Sequence, residues 1–215
     1  MAFTPVNVAA SSNGGVATAS SSHGEACFDP SNVINGSRDP GYGGTSWGNI
    51  GNLGGWNDGT QNTFPDTFDV TFNAVYTIGE IDIITLKDSF STSGVPGPSD
   101  TFSLYGITNF DVQYWNGTTY QTLQSITGNN LVWRKVTFAP VATSKIRLSI
   151  NDSADHTWSR LVELEAWTVE VASSPTIKTW TGTQWTPKPF KVWSGTAWAA
   201  KPIKYWTGSA WVQKP

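Results

Sequence analysis

The 215-residue chain has one cysteine (Cys27), two histidines (His23 and His156) and few charged residues, 13% of the total. A lone cysteine excludes an intrachain disulfide framework and gives no sign of an oxidising compartment. The histidines lie far apart in sequence and neither sits in a metal-ligand spacing. There is no Gly-x-Ser-x-Gly element and no phosphate-cradling glycine loop. Carboxylate pairs such as Asp66/Asp69 and Glu163/Glu165 fall on candidate strands, whose alternation accounts for them, and glycosidase chemistry would need two carboxylates across a cleft. The chain therefore reads as non-enzymatic. No apolar run approaches membrane-spanning length, and no basic-then-apolar signal segment follows Met1. The expectation is a product of the cytoplasm that does not insert into membranes. A sustained 3.6-residue apolar period is missing from residues 1–170 as well, which argues against helices.

What is present is most conspicuous at the C-terminus. Ile177-Lys178-Thr179-Trp180-Thr181-Gly182-Thr183-Gln184-Trp185 runs on to Lys188-Pro189, and the same pattern recurs from Phe190 to Pro202 and from Ile203 to Pro215. A thirteen-residue unit cannot bury a core of its own, so such repeats stack on each other or on another chain. Each reads as a hairpin with glycine in the turn. A two- or four-residue loop places both tryptophans on one face, and a three-residue bulged loop separates them. Trp180, Trp185, Trp193, Trp198, Trp206 and Trp211 are the candidate assembly residues. Burying one indole removes about 150–250 Å² from water, about 4–6 kcal/mol gross, which suits association, including around a threefold axis. Choline-binding repeats also present paired tryptophans on short hairpins, which keeps ligand binding open as the second reading.

Charge separates the two regions. Residues 1–171 hold seven Lys/Arg against sixteen Asp/Glu, a net −9, whereas residues 172–215 hold six lysines and no acid. A basic tail can signal nucleic acid. Here each lysine occupies a fixed place in the repeat beside tryptophan, where its stem can pack on an indole, so the structural reading is preferred and no nucleic-acid partner is expected. The expected organisation is a domain at 1–171, a polar linker at 172–176 and the repeats at 177–215.

Within the first region apolar residues alternate at Phe68/Val70/Phe72, Phe110/Val112/Tyr114, Ile146/Leu148/Ile150 and Val162/Leu164/Ala166, with Val132, Val136 and Phe138 on one face of a further strand. Asn116-Gly117 marks a tight hairpin. By the same alternation Glu163 and Glu165 point away from the apolar face. Glycine-rich stretches at 36–63 and 87–104 read as long loops, where binding residues concentrate.

The ordered series Asn7-Val8-Ala9, Val16-Ala17-Thr18-Ala19-Ser20-Ser21, Pro30-Ser31-Asn32-Val33-Ile34-Asn35-Gly36, Thr45-Ser46-Trp47, Phe64 to Phe72, Ile78-Gly79-Glu80-Ile81-Asp82-Ile83, Phe110 to Gly117 and Ser159 to Glu165 resembles discoidin (coagulation factor 5/8 type C) domains and the related galactose-binding-like carbohydrate-binding modules. The likeness covers roughly residues 5–170. It implies an all-β fold: an eight-stranded antiparallel jelly-roll sandwich, followed here by three short β-hairpin repeats, that binds sugars through loops at one end. It also implies a structural Ca²⁺ near the first long loop, held at Asn35, where the family has Asp, with Thr45 and Glu163 matching the pattern; Asp39 is a further candidate carboxylate beside them. A solvent-facing Glu163 is the alternative.

Sugars are held by an aromatic ring against their C–H face and by planar polar groups at their hydroxyls. Tyr42, Trp56, Asn57, Asp58, His156, Trp158 and Arg160 supply those types in the loops, with Arg38 a further contributor. Lid packing is the plainer role for the two tryptophans, and an ordinary loop position for His156. The repeats resemble segments of phage tail and appendage proteins. The expected function is a virion adhesin that grips a cell-surface glycan, its repeats anchoring it to other virion proteins or to itself, as in a trimer. A purely structural decoration protein and a carbohydrate-binding module of a secreted enzyme are the alternatives.

Overall fold

A computed structural model describes residues 3–43, 46–47, 54–90, 94–170, 177–201, 204–206 and 211–213. The chain forms two compact units, Met1–Val169 and Glu170–Pro215. The expected linker at 172–176 lies outside the described residues.

In the first unit the strands are β1 (Val16–Ala19), β2 (Tyr42–Gly43), β3 (Ser46–Trp47), β4 (Trp56–Asn57), β5 (Asp66–Thr85), β6 (Ile107–Trp115), β7 (Tyr120–Ile126), β8 (Trp133–Ser153) and β9 (Arg160–Thr168). No α-helix occurs among the described residues, and the helical segments are short 3-10 turns at Ser11–Asn13, Ala26–Phe28 and Pro30–Ile34. Seven strands are joined in the order β4-β9-β5-β8-β6-β7, with β1 also on β5. All pairings are antiparallel.

Among the described residues, β5 and β8 are long enough that each serves two layers of the sandwich. Residues 66–71 of β5 pair with β1 and with residues 145–150 of β8, which in turn pair with β6. Residues 78–85 of β5 pair with β9 and, through 80–84, with the start of β8. Between these stretches the register slips, with Thr71 opposite Lys145 but Tyr76 opposite Thr143. The extra residues on β5 form a bulge, which bends a strand and sharpens its twist. The result is the jelly-roll sandwich, with one layer of β7, β6, β8, β5 and β1 and another of β8, β5, β9 and β4.

Its core follows the two-residue alternation. Phe68, Val70, Ile81, Ile83, Val112, Ile146, Leu148, Ile150, Leu161 and Leu164 are all buried in one cluster, and Trp56 lies 5.2 Å from Phe68 between ring centroids. A second cluster, Phe28, Ile84, Leu86, Phe102, Val132 and Val162, packs under the loop between β5 and β6. The β6–β7 hairpin turns at Asn116–Thr119, with Gly117 at φ 104°, and sets Trp115 directly opposite Tyr120.

The second unit repeats that hairpin design. Strand β10 (Ile177–Trp180) pairs with β11 (Trp185–Lys188), β12 (Lys191–Trp193) with β13 (Trp198–Ala200), and β14 (Lys204–Trp206) with β15 (Trp211–Gln213). In each, the two tryptophans are direct cross-strand partners, as a four-residue turn requires. Gly182 and Gly195 sit at φ 97°, a left-handed conformation that favours glycine. Thr181 and Ser194 close their turns on Gln184 and Ala197. The indoles meet each other, at 5.7 and 5.6 Å between centroids. Trp180, Trp185, Trp193 and Trp198 nonetheless remain 55%, 63%, 51% and 64% exposed.

Replacing Phe68 with alanine empties a fully buried site beside Trp56 and is expected to cost about 3–5 kcal/mol. Val75→Ala, on the exposed bend of β5, should stay within about 0.5 kcal/mol. Denaturant midpoints of the two variants check both values.

Candidate functional site

A cleft of about 310 Å³ opens at one end of the sandwich, walled by Phe28, Phe90, Tyr105 and Trp158, with His23, Glu25, Asn57 and Arg160 around it. Loops deliver most of these groups. Phe28 ends the 3-10 turn after β1, Phe90 and Tyr105 lie on the β5–β6 connection, and Trp158 and Arg160 stand where the chain enters β9. The walls are set edge to face. His23 meets Phe28 at 5.4 Å and Trp158 at 6.1 Å, and Phe90 meets Tyr105 at 5.4 Å, an arrangement that suits ring quadrupoles. The Arg160 guanidinium lies 5.3 Å over the Tyr105 ring.

The loop before β9 is organised by Asp155. Its Oδ1 accepts the Ser153 hydroxyl and the Thr157 N–H, and its Oδ2 accepts Arg160 Nη1–H at 2.8 Å. Burial raises the Asp155 carboxyl, but the charge and hydrogen bond of Arg160 outweigh it and hold it below its ordinary value. Close by, Ser159 is fully buried. Its N–H donates to Asp58 at 2.7 Å and its hydroxyl to Asp66 at 2.7 Å. Burial pushes both of these carboxyls up.

Of the residues expected to touch sugar, the structure gathers Asn57, Trp158 and Arg160 at this cleft. Two others are corrected. Trp56 is fully buried, with its indole N–H bonded to the Ser21 carbonyl at 2.8 Å, because β4 pairs with β9 and turns that ring into the core. Asp58 is also fully buried and spent on Ser159 and Thr60. His156 is outside the cleft lining, its side chain 76% exposed and paired with Asp152. Tyr42 pairs with Trp47 through the β2–β3 backbone. His23, Phe90, Tyr105 and Asp155 were not expected at the site. Only Asp155, in the polar run Asn151-Asp152-Ser153-Ala154-Asp155, carries a turn signal that points to it.

The residues expected at a metal are placed as follows. Asn35 Oδ1 accepts the Ser37 N–H at 2.7 Å. Asp39 is taken up by the N–H groups of Gly41 and Gly94. Thr45 lies outside the described residues. Glu163, expected at the metal with a solvent-facing place as the alternative, is fully buried, because the segment from Pro30 to Arg38 covers the second face of β9. Gly36 N–H reaches Glu163 Oε1 at 3.0 Å, and Arg38 forks onto Glu165. Glu163 Oε2 is buried without a hydrogen-bond partner. Burial pushes its carboxyl up to about 9, with the Gly36 N–H a partial offset. The described residues contain no group of three or more His, Cys, Asp or Glu side chains placed to hold a metal. The orphaned oxygen fits a hard cation whose remaining ligands are backbone and amide carbonyls.

No family profile and no curated protein sequence matches the chain. Solved structures do share its fold. They include chitosan-binding module 1 of a chitosanase/glucanase from Paenibacillus sp. IK-5, with 18% identity and TM-score 0.54 over 75% of this chain and 98% of that one. The family 32 carbohydrate-binding module of Clostridium perfringens NanJ, solved with galactose, has 18% identity and TM-score 0.52 over 76% and 99%. That of Streptococcus pneumoniae EndoD has 14% identity and TM-score 0.55 over 76% and 100%. The first unit thus has the jelly-roll fold of family 32 carbohydrate-binding modules.

A carboxyl that is neutral when folded and ionised when unfolded makes the native state bind more protons, so stability falls as pH rises. For Glu163 the window runs from its ordinary value near 4.5 to about 9. In chelator-treated protein, Glu163→Gln, which needs no proton to be buried, is expected to flatten this decline and to be the more stable of the two at pH 8. Urea titrations across that range measure it.

Proposed function

We propose that the jelly roll is a non-catalytic glycan-binding module and that the tryptophan hairpins attach it to a carrier or to further copies of itself. The observation that carries this reading is the end cleft, where Trp158 and Tyr105 offer rings, Glu25 offers an exposed carboxylate and Arg160, seated on Asp155, lines the floor. Asn57 is buried there with its amide donating to the Asp58 carbonyl. Rings beside planar polar groups are the combination that holds a sugar. Structural neighbours were solved with galactose and with chitotriose, which supports a cell-surface or polymeric glycan as the ligand class. A single shallow sugar site binds at around millimolar, about −4 kcal/mol, and several copies on one carrier raise avidity steeply.

Indole pairs repeated every thirteen residues, exposed in the first two hairpins, are the tail's contribution. They suit association of copies, as in a trimer, or docking onto another protein. Two carriers serve equally. A phage-like virion suits the basic tryptophan tail, with the other partners being virion proteins. A secreted enzyme suits the neighbours drawn from a chitosanase/glucanase. A structural Ca²⁺ belongs to this reading, held by Glu163 and by oxygens of the loop from Asn35 to Thr45. When bound it would supply the positive charge that lets Glu163 ionise where it is buried.

On a glycan array, Trp158→Ala and Arg160→Ala are each expected to lower the signal tenfold or more, while His156→Ala leaves it unchanged. Equal signals from all three would contradict the cleft. By light scattering, the full chain should exceed monomer mass and residues 1–171 should not. A monomeric full chain would turn the tail into a docking element for another protein. Ca²⁺ should raise the melting temperature of the unmodified chain and leave that of Glu163→Gln where it was.

A further inference from the structure

The β9-β5-β8 layer carries a second cleft, of about 440 Å³, that shares no lining residue with the first. Register builds it. Asp82 on β5 stands opposite Lys135 on β8 and Glu165 on β9, Glu80 stands opposite Trp167, and Ile84 opposite Trp133. Residues 80, 82 and 84 share one face of the strand, which is polar at Glu80 and Asp82 and closes on Ile84, buried in the second core cluster with Trp133 packed against it. Ile81 and Ile83 on the other face enter the main core.

Trp133 and Trp167 are both partly exposed in this cleft, with Pro5 and Val169 beside them. Arg38 fixes the space between the indoles. Its guanidinium lies 3.9 Å over the Trp133 ring, and its fork grips Glu165, which also accepts the Trp167 indole N–H at 3.0 Å. The Lys135–Glu80 pair, at 2.6 Å, forms a solvent-facing polar rim. At the base Asp82 is buried, with the Trp133 indole N–H beside its carboxyl and the Arg38 guanidinium 3.8 Å from its Oδ2.

Ring faces held at fixed places, with planar polar groups along their edges, are the chemistry that takes a pyranose. The charges narrow the class. Two cations, Arg38 and Lys135, face three carboxylates, Glu80, Asp82 and Glu165, so the cleft offers no net positive charge to an acidic sugar. We propose that this sheet-face cleft is a second glycan subsite, taking a neutral pyranose unit, so that one module touches a polysaccharide at two places. The proposal rests on the reading of the first unit as a glycan-binding module but not on the end cleft being its site.

The test is affinity electrophoresis of the full chain in gels containing galactomannan, xyloglucan or mixed-linkage β-glucan, with thermal melts of every variant. The unmodified chain should be retarded by at least one polymer. Trp167→Ala and Glu80→Ala should each weaken that retardation fivefold or more, while Trp167→Phe keeps most of it by preserving the ring face. Glu80 sits partly exposed on the rim, paired with Lys135, so its variant, with the melting temperature unchanged, decides the matter if Trp167→Ala melts early. Retardation unchanged in Glu80→Ala and Trp167→Ala but lost in Trp158→Ala would overturn the second subsite and leave the end cleft standing. No retardation in any gel would overturn the second subsite, and the array result would then judge the end cleft separately.

Discussion

Ser159 ties together the end of the sandwich that carries the aromatic cleft through two hydrogen bonds, N–H to Asp58 and hydroxyl to Asp66. Asp58 belongs to the loop after β4, Asp66 opens β5, and Ser159 precedes β9, so three separate parts of the chain meet at one buried serine. Trp158 and Arg160 flank it and therefore leave the core at fixed angles toward the cleft. The interaction is polar and buried, so removing either partner would strand a group that water cannot reach. Asp155 extends this control outward by seating Arg160 and folding the loop ahead of it. An arginine held this way loses little freedom on binding, which favours a weak ligand such as a single sugar.

The same economy of charge appears on the other face of β9. Glu163 and Glu165 are buried on a strand whose opposite side already lines the core, and the segment from Pro30 to Arg38 is what covers them. Glu165 is satisfied by Arg38 and Trp167, whereas Glu163 keeps one oxygen unmatched. One carboxylate thus organises an aromatic cleft, while the other leaves an acceptor that a cation would satisfy. The tail works by a different physics. In its first two hairpins the paired indoles shelter each other only in part and stay more than half exposed.

Much of the architecture was legible in the sequence because alternation reports burial directly. Phe68, Val70, Ile146 and Leu148 all face the core as the two-residue period requires. The hairpin turns were readable from glycine placement and the spacing of tryptophans. Alternation failed at Glu163 and Glu165 because it assumes that the second face of a strand meets water, and a cover donated by a distant loop leaves no local trace. The site was only partly legible for a related reason. Trp56 and Trp158 look alike in sequence, each in a polar loop, and only the pairing of β4 with β9 sends one ring inward. His23, Phe90 and Tyr105 come from connections that the jelly roll brings together, and no spacing along the chain records that meeting.

The central claim, that sugar enters at the end cleft, is tested most directly by observing tryptophan indole N–H signals in an NMR titration with galactose and with chitotriose. The Trp158 signal should move progressively with at least one of them while that of Trp56, whose indole N–H is bonded to the Ser21 carbonyl, stays in place. Signals that move only among the hairpin tryptophans, or none that move with either sugar, would contradict it.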